Sequence, residues 1–108
     1  MTFSPLSPLD QLLVPFSQEA EEAVIGSVLI SANMFPLLES ILSPDDFYLT
    51  RHRHLWQIFM RLSTRSEIMD LTTVSEELRQ MGVLEEIGGY AYLIHLINNT
   101  PNSMHAEA

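Results

Sequence analysis

The sequence has neither cysteine nor lysine. Without thiols it can form no disulfide, no Cys-ligated zinc site and no thiolate nucleophile. Positive side-chain charge comes from five arginines alone, against fourteen Asp and Glu, and the formal net charge is −9. That balance argues against a phosphate-backbone binder, which needs clustered positive charge, and against an anionic membrane surface. It is compatible with a basic protein partner and is equally what solubility asks of a surface. No apolar run approaches the ~20 residues that span a bilayer. The start, Met1-Thr2-Phe3-Ser4-Pro5, lacks the positive region of a signal peptide, so the expected location is the cytoplasm. GxxxxGK[ST], GxGxxG and GxSxG are missing too, which removes the P-loop, the dinucleotide fingerprint and the nucleophile elbow. The expectation is a chain that is not an enzyme by itself and binds no cofactor.

What remains is a globular composition, 46% hydrophobic over 108 residues, enough for one modest core. Residues 1–15 hold three of the six prolines, Pro5, Pro8 and Pro15, and read as a flexible arm in which Leu9, Leu12 and Leu13 could dock. Residues 16–101 read as a globular helical domain and 102–108 as a tail.

Ser17 opens a first helix, with Glu19, Glu21 and Glu22 where the helix dipole favours negative charge. From Val24 to Ile30 that helix is apolar almost all round, which predicts burial on more than one side. Gly26 in its middle costs about 1 kcal/mol against Ala and points to a close helix contact. Asn33 looks like the cap of a short second helix containing Phe35, Leu37, Leu38, Ile41 and Leu42, and Ser43-Pro44-Asp45-Asp46 like a turn. A third helix spans about Arg51 to Ser63. Leu55, Ile58, Phe59 and Leu62 share one face, and Arg53, His54, Gln57, Arg61 and Arg65 the far side. A fourth starts with a possible capping box, Thr73-Val74-Ser75-Glu76, carries a Val74, Leu78, Met81 stripe and ends at Gly82. A fifth, Tyr90 to Ile97, turns Tyr90, Leu93, Ile94 and Ile97 to the core and stops at Thr100-Pro101. The fold class is therefore all-α, a compact orthogonal bundle of about five short helices.

Candidate chemistry is sparse. His52 and His54, two apart on a helix, do not share a face and read as surface or cap histidines rather than zinc ligands. His95 and His105 have no evident carboxylate partner in the sequence. Asp45-Asp46 reads as a turn and cap, and Glu76-Glu77 and Glu85-Glu86 as solvated faces. The arginines of the third helix could meet an acidic partner, with internal ion pairs to the many carboxylates as the plainer reading. Two strips, Trp56 with Met60 and Tyr92 with Leu96, are interface candidates, since Met and aromatics are enriched in interface cores; two-sided burial explains them equally well. The candidate interface is thus Trp56, Met60, Tyr92, Leu96, Arg53, Arg61 and Arg65.

The segment Val14-Pro15-Phe16-Ser17-Gln18-Glu19-Ala20-Glu21-Glu22-Ala23-Val24-Ile25-Gly26 resembles the opening of the N-terminal domain of DnaB-type replicative DNA helicases, which typically reads Pro-Pro-x-Ser-x-Glu-Ala-Glu-x-x-Val-Leu-Gly. The likeness continues through Asp45-Asp46-Phe47-Tyr48, Arg53-His54, Asp70-Leu71-Thr72-Thr73, Gly88-Gly89-Tyr90-Ala91-Tyr92-Leu93 and Asn99-Thr100-Pro101, in the family's order and spacing. It departs at Val14, where proline is frequent, and at Ser27, where a second small residue is usual. In the family the last of these segments leads into a helical hairpin, and Ala108 falls where that hairpin would begin. The resemblance implies the globular head of a ring-shaped hexamer that unwinds DNA with ATP and Mg. It implies N-terminal domains paired into a collar, docking of the helicase-binding domain of primase, and no direct DNA contact by this domain. It carries over no catalytic residue. Two other readings remain: a free-standing helical regulatory module, and a helix-turn-helix DNA binder using the fourth and fifth helices. The second lacks any Arg or Lys between Tyr90 and Ile97 to read bases or phosphates.

Overall fold

Side-chain caps set two of the five α-helix starts, at Ser17 and Asp70. The computed structural model describes residues 17–100. The expected arm at 1–15 and tail at 102–108, with Leu9, Leu12, Leu13 and His105, lie outside them. α1 (Gln18–Ile30) starts where the Ser17 hydroxyl accepts the Ala20 N–H at 3.1 Å, with Glu19 and Glu21 in its first turn. α2 (Met34–Glu39) follows Asn33, which occupies the cap position without a side-chain cap bond. The Ser43–Asp46 turn is a single 3-10 turn, in which the Asp46 carboxylate accepts the Ser43 N–H at 2.8 Å. α3 spans Thr50–Thr64 and α5 Gly89–Asn99, each close to its expected range.

α4 (Leu71–Gln80) differs from expectation at its start. Its cap is Asp70, whose carboxylate accepts the Thr73 N–H at 2.8 Å, and not Thr73. The proposed box fails because Glu76 lies in mid-helix and binds Arg79 and Gln80 instead. Met81 ends the helix half-exposed and so leaves the apolar stripe of Val74 and Leu78. Among the described residues there is no strand, and no helix is long and apolar enough to cross a membrane.

Trp56 is the centre of the core. It is fully buried, with ring centroids 5.0 Å from Phe35, 5.0 Å from Phe47 and 5.7 Å from Phe59, all in tilted or edge arrangements that aromatic quadrupoles favour. These rings bring α2, the turn before α3 and α3 itself onto one point. Trp56 therefore leaves the list of surface candidates. So does Leu96, which is wholly buried while Tyr90 is half exposed. The inward stripe of α5 is Leu93 and Leu96, because α5 sits along α1 rather than facing the bundle squarely.

Gly26 explains how closely α1 and α5 approach. A Cβ there would lie 2.7 Å from the Leu96 carbonyl oxygen and 1.7 Å from the Thr100 hydroxyl, which itself donates to that carbonyl at 2.6 Å. A methyl would force the helices apart. Gly88 and Gly89, at φ 113° and 73°, let the chain turn into α5 in a backbone region that L side chains resist. Gly26→Ala should gain about 1 kcal/mol of helix propensity yet lower stability overall, since overpacking costs roughly 1–3 kcal/mol and more where backbone must move. Chemical denaturation would measure the balance, and a more stable variant would contradict the close contact.

Candidate functional site

Three polar clusters join the helices. The first centres on His52, which the sequence read as a surface or cap histidine and the structure buries completely. Its Nδ1 lies 2.7 Å from Glu21 Oε1 on α1, and its Nε2 lies 2.6 Å from the Tyr92 hydroxyl on α5. The Glu21 carboxylate accepts from Nδ1–H, and Nε2 and the Tyr92 hydroxyl share the second bond, so the ring ties α1 to α5. Glu21 also accepts the backbone N–H groups of Tyr48 at 2.5 Å and Leu49 at 3.4 Å. Leu49 offers no side-chain cap for α3. A carboxylate from another helix thus occupies the positive end of the α3 dipole, 27 residues away in sequence from its nearest partner.

Next to it, Glu22 Oε2 accepts from Gln18 at 2.9 Å and from Tyr92 at 3.4 Å, and Glu22 Oε1 lies 3.4 Å from His95 Nε2. His95 thus has a carboxylate partner that the sequence did not reveal. Burial pushes the Glu22 carboxyl up, but the bonds from Gln18, His95 and Tyr92 outweigh it and hold it below its ordinary value. Burial raises the Tyr92 phenol, with Arg51 acting against it. The Arg51 guanidinium carbon stands 4.7 Å from the centroid of the Tyr92 ring, a cation–π contact. Tyr92 therefore faces into this cluster.

The second cluster clamps α3 to α4. Glu77, nearly buried, receives Arg65 Nη2 at 2.8 Å and Arg61 Nη2 at 3.0 Å, and Arg65 also meets Glu67 at 3.2 Å. Hydrogen bonds from Arg65 first, then Arg61, hold the Glu77 carboxyl below its ordinary value despite burial. Glu77 is a bridge between helices and not the solvated face that sequence reasoning assigned. Beside the clamp runs an open groove of about 590 Å³, lined by Pro44, Gln57, Met60, Arg61, Thr64, Arg65 and Met81. The third cluster is at the surface: Arg53 Nε donates to the Phe47 carbonyl at 2.6 Å, and His54 Nε2 meets Glu86 at 3.0 Å.

The seven sequence candidates thus separate. Met60, Arg61 and Arg65 share the groove, Arg53 secures the chain ahead of α3, Tyr92 belongs to the His52 cluster, and Trp56 and Leu96 are core. Among the described residues no group of three or more His, Asp or Glu is placed to hold a metal ion.

An all-α domain whose polar groups tie helix to helix, with an arginine-edged groove beside one of those ties, is the class this geometry defines. The model for the "DnaB-like helicase N terminal domain" matches residues 13–108, and the chain belongs to that family. It is 36% identical over 99 residues to the replicative DNA helicase DnaC of Bacillus subtilis, covering 92% of this chain and 22% of that protein. It is 39% identical over 99 residues to the replicative DNA helicase DnaB of Pasteurella multocida, covering 91% and 21%. The crystal structure of the N-terminal domain of DnaB helicase from Mycobacterium tuberculosis aligns with a TM-score of 0.77 at 36% identity, over 81% of this chain and 60% of that one. The chain thus spans about a fifth of the length of these curated relatives.

Two outcomes follow from the clusters. His52→Phe keeps a ring but removes one bond each from Glu21 and Tyr92, which retain Tyr48, Leu49 and Glu22 as partners, and should cost roughly 1–3 kcal/mol in all in urea denaturation. An unchanged midpoint would show that water replaces both bonds. Glu22, Asp70 and Glu77 all have carboxyls held below their ordinary values of 3.8 to 4.5. Folded-state pKa values below unfolded ones mean stabilisation that is complete above about pH 4.5 and lost as pH falls through the folded values. The denaturation midpoint should therefore be level near neutrality and drop in acid. Glu77→Gln should lower it at pH 7 and make the acid decline shallower.

Proposed function

We propose that this chain is the collar head of a hexameric replicative DNA helicase, serving subunit association and the docking of primase. The observation that carries the reading is the family match over residues 13–108, joined to a helical likeness at 36% identity across most of the described residues. In this reading DNA unwinding, with its ATP and Mg, belongs to another part of the full-length protein, and the cytoplasm is where it acts. The head itself makes no direct DNA contact: α5 carries neither Arg nor Lys and packs along α1, which disfavours a recognition helix. The groove with Met60, Arg61 and Arg65 is the surface offered to primase, since Met and Arg are enriched at interface cores and an apolar floor between guanidinium groups suits a helix bearing carboxylates.

Calorimetric titration with the helicase-binding domain of the primase from the same organism tests this. Binding should be measurable and should weaken about tenfold or more in Met60→Lys, which charges the groove floor. Circular dichroism of the variant checks that the helices persist. Absence of binding by the unaltered chain would remove docking from the head, and equal binding by Met60→Lys would move it to another face.

A further inference from the structure

α2 has two apolar faces, and the core accounts for only one. Phe35 is buried and Leu38 and Leu42 pack against the core. On the outside Met34, Leu37 and Ile41 are 37%, 68% and 72% exposed. A single exposed leucine needs no explanation. These three follow i, i+3 and i+7, the spacing of one helix face, and the N–H groups of Ile41 and Leu42 both still bond to the Leu38 carbonyl, which continues the turn past Glu39. The stripe is therefore continuous.

The charge that α2 and the loop after it carry is all of one sign. No Arg, Lys or His precedes Arg51 in the sequence. Glu39 and Asp45, both exposed, have no cationic partner among the described residues, whereas Glu21, Glu22, Glu67, Glu76, Glu77 and Glu86 each meet an arginine or a histidine. None of Met34, Leu37, Glu39, Ile41 and Asp45 lines the α3–α4 groove.

We propose that the outer face of α2 docks a cationic amphipathic helix of another protein. Its apolar stripe covers Leu37 and Ile41, and its Lys or Arg side chains approach Glu39 and Asp45. A second copy of this chain is a poorer occupant, because a two-fold contact sets the same acidic surface against itself. Residues 1–16 are poorer too, since they contain no cationic side chain to answer these carboxylates. The proposal stands apart from primase docking at the groove.

The test uses the 15N-labelled 1–108 chain and, as probe, a Leu–Lys amphipathic helical peptide of about 18 residues, five turns. A scrambled peptide of the same composition, without a stripe, is the control. Amide shifts should change chiefly between residues 34 and 46. Affinity should fall about tenfold or more for the scramble, for the double variant Leu37→Gln with Ile41→Gln, and for Glu39→Lys with Asp45→Lys. All four side chains are exposed, so the fold should survive. Equal affinity for the scramble would reduce the effect to charge alone and overturn the proposal. Shifts confined to α3 and α4 would overturn it as well. A dimer in sedimentation that the Leu37/Ile41 variant abolishes would assign the face to a second copy. Stronger peptide binding after deletion of residues 1–16 would assign it to this chain's own N-terminus.

Discussion

The approach of α1 to α5 at Gly26 governs much of what surrounds it. With no side chain at that point, α1 rests directly on the Leu96 carbonyl and the Thr100 hydroxyl. One turn earlier on each helix, Glu22 faces Tyr92 and His95, so the two helices run in the same direction at this contact. Glu21, beside Glu22, is then placed to reach the start of α3 and the ring of His52. A steric allowance at one glycine sets the distances for a polar network spanning three helices. That network is costly to leave incomplete: a buried imidazole without partners would sacrifice its hydrogen bonds to water and gain none in return.

Acidity and its pairing organise the remaining surface. The carboxylates facing α3 and α5 are matched by arginine or histidine, and these matches hold helix to helix: Glu77 to Arg61 and Arg65, Glu21 to His52, Glu86 to His54. The described residues before Arg51 supply carboxylates and no cationic side chain, so α2 keeps both an apolar stripe and negative charge without a cationic partner. Internal ion pairs in a partly exposed setting add little stability each, but they do fix which arginines remain available. Arg61 and Arg65 are committed to Glu77 on one side and open to the groove on the other. The groove beside α3 and the outer face of α2 thus differ in charge as well as in shape.

Local rules were legible in the residues. Ser17, the Ser43-Pro44-Asp45-Asp46 turn and the apolar period of Leu55, Ile58, Phe59 and Leu62 each depend on neighbours within one or two turns, and each stands where the spacing put it. Gly26 was readable as a close contact because glycine in mid-helix has a cost that some packing must offset. The departures have two causes. At Thr73 two capping patterns compete within a few residues, and Asp70, the stronger acceptor, takes the N–H. For Trp56, Leu96 and Met81 the period places the residue on an angle of its helix, but which angles are covered depends on where the other helices lie.

His52 marks the boundary between the two kinds of information. The sequence by itself determined an all-helical chain, its helix ends to within a few residues, its acidity and the family it belongs to, because propensity, capping and composition are local or additive properties. Only the tertiary structure decided that His52 is buried between Glu21 and Tyr92, that Glu77 is a bridge rather than a solvated face, and that Trp56 is core while Leu37 and Ile41 are surface. Those outcomes depend on pairs 12 to 40 positions apart, which no periodicity connects and which only helix packing brings together.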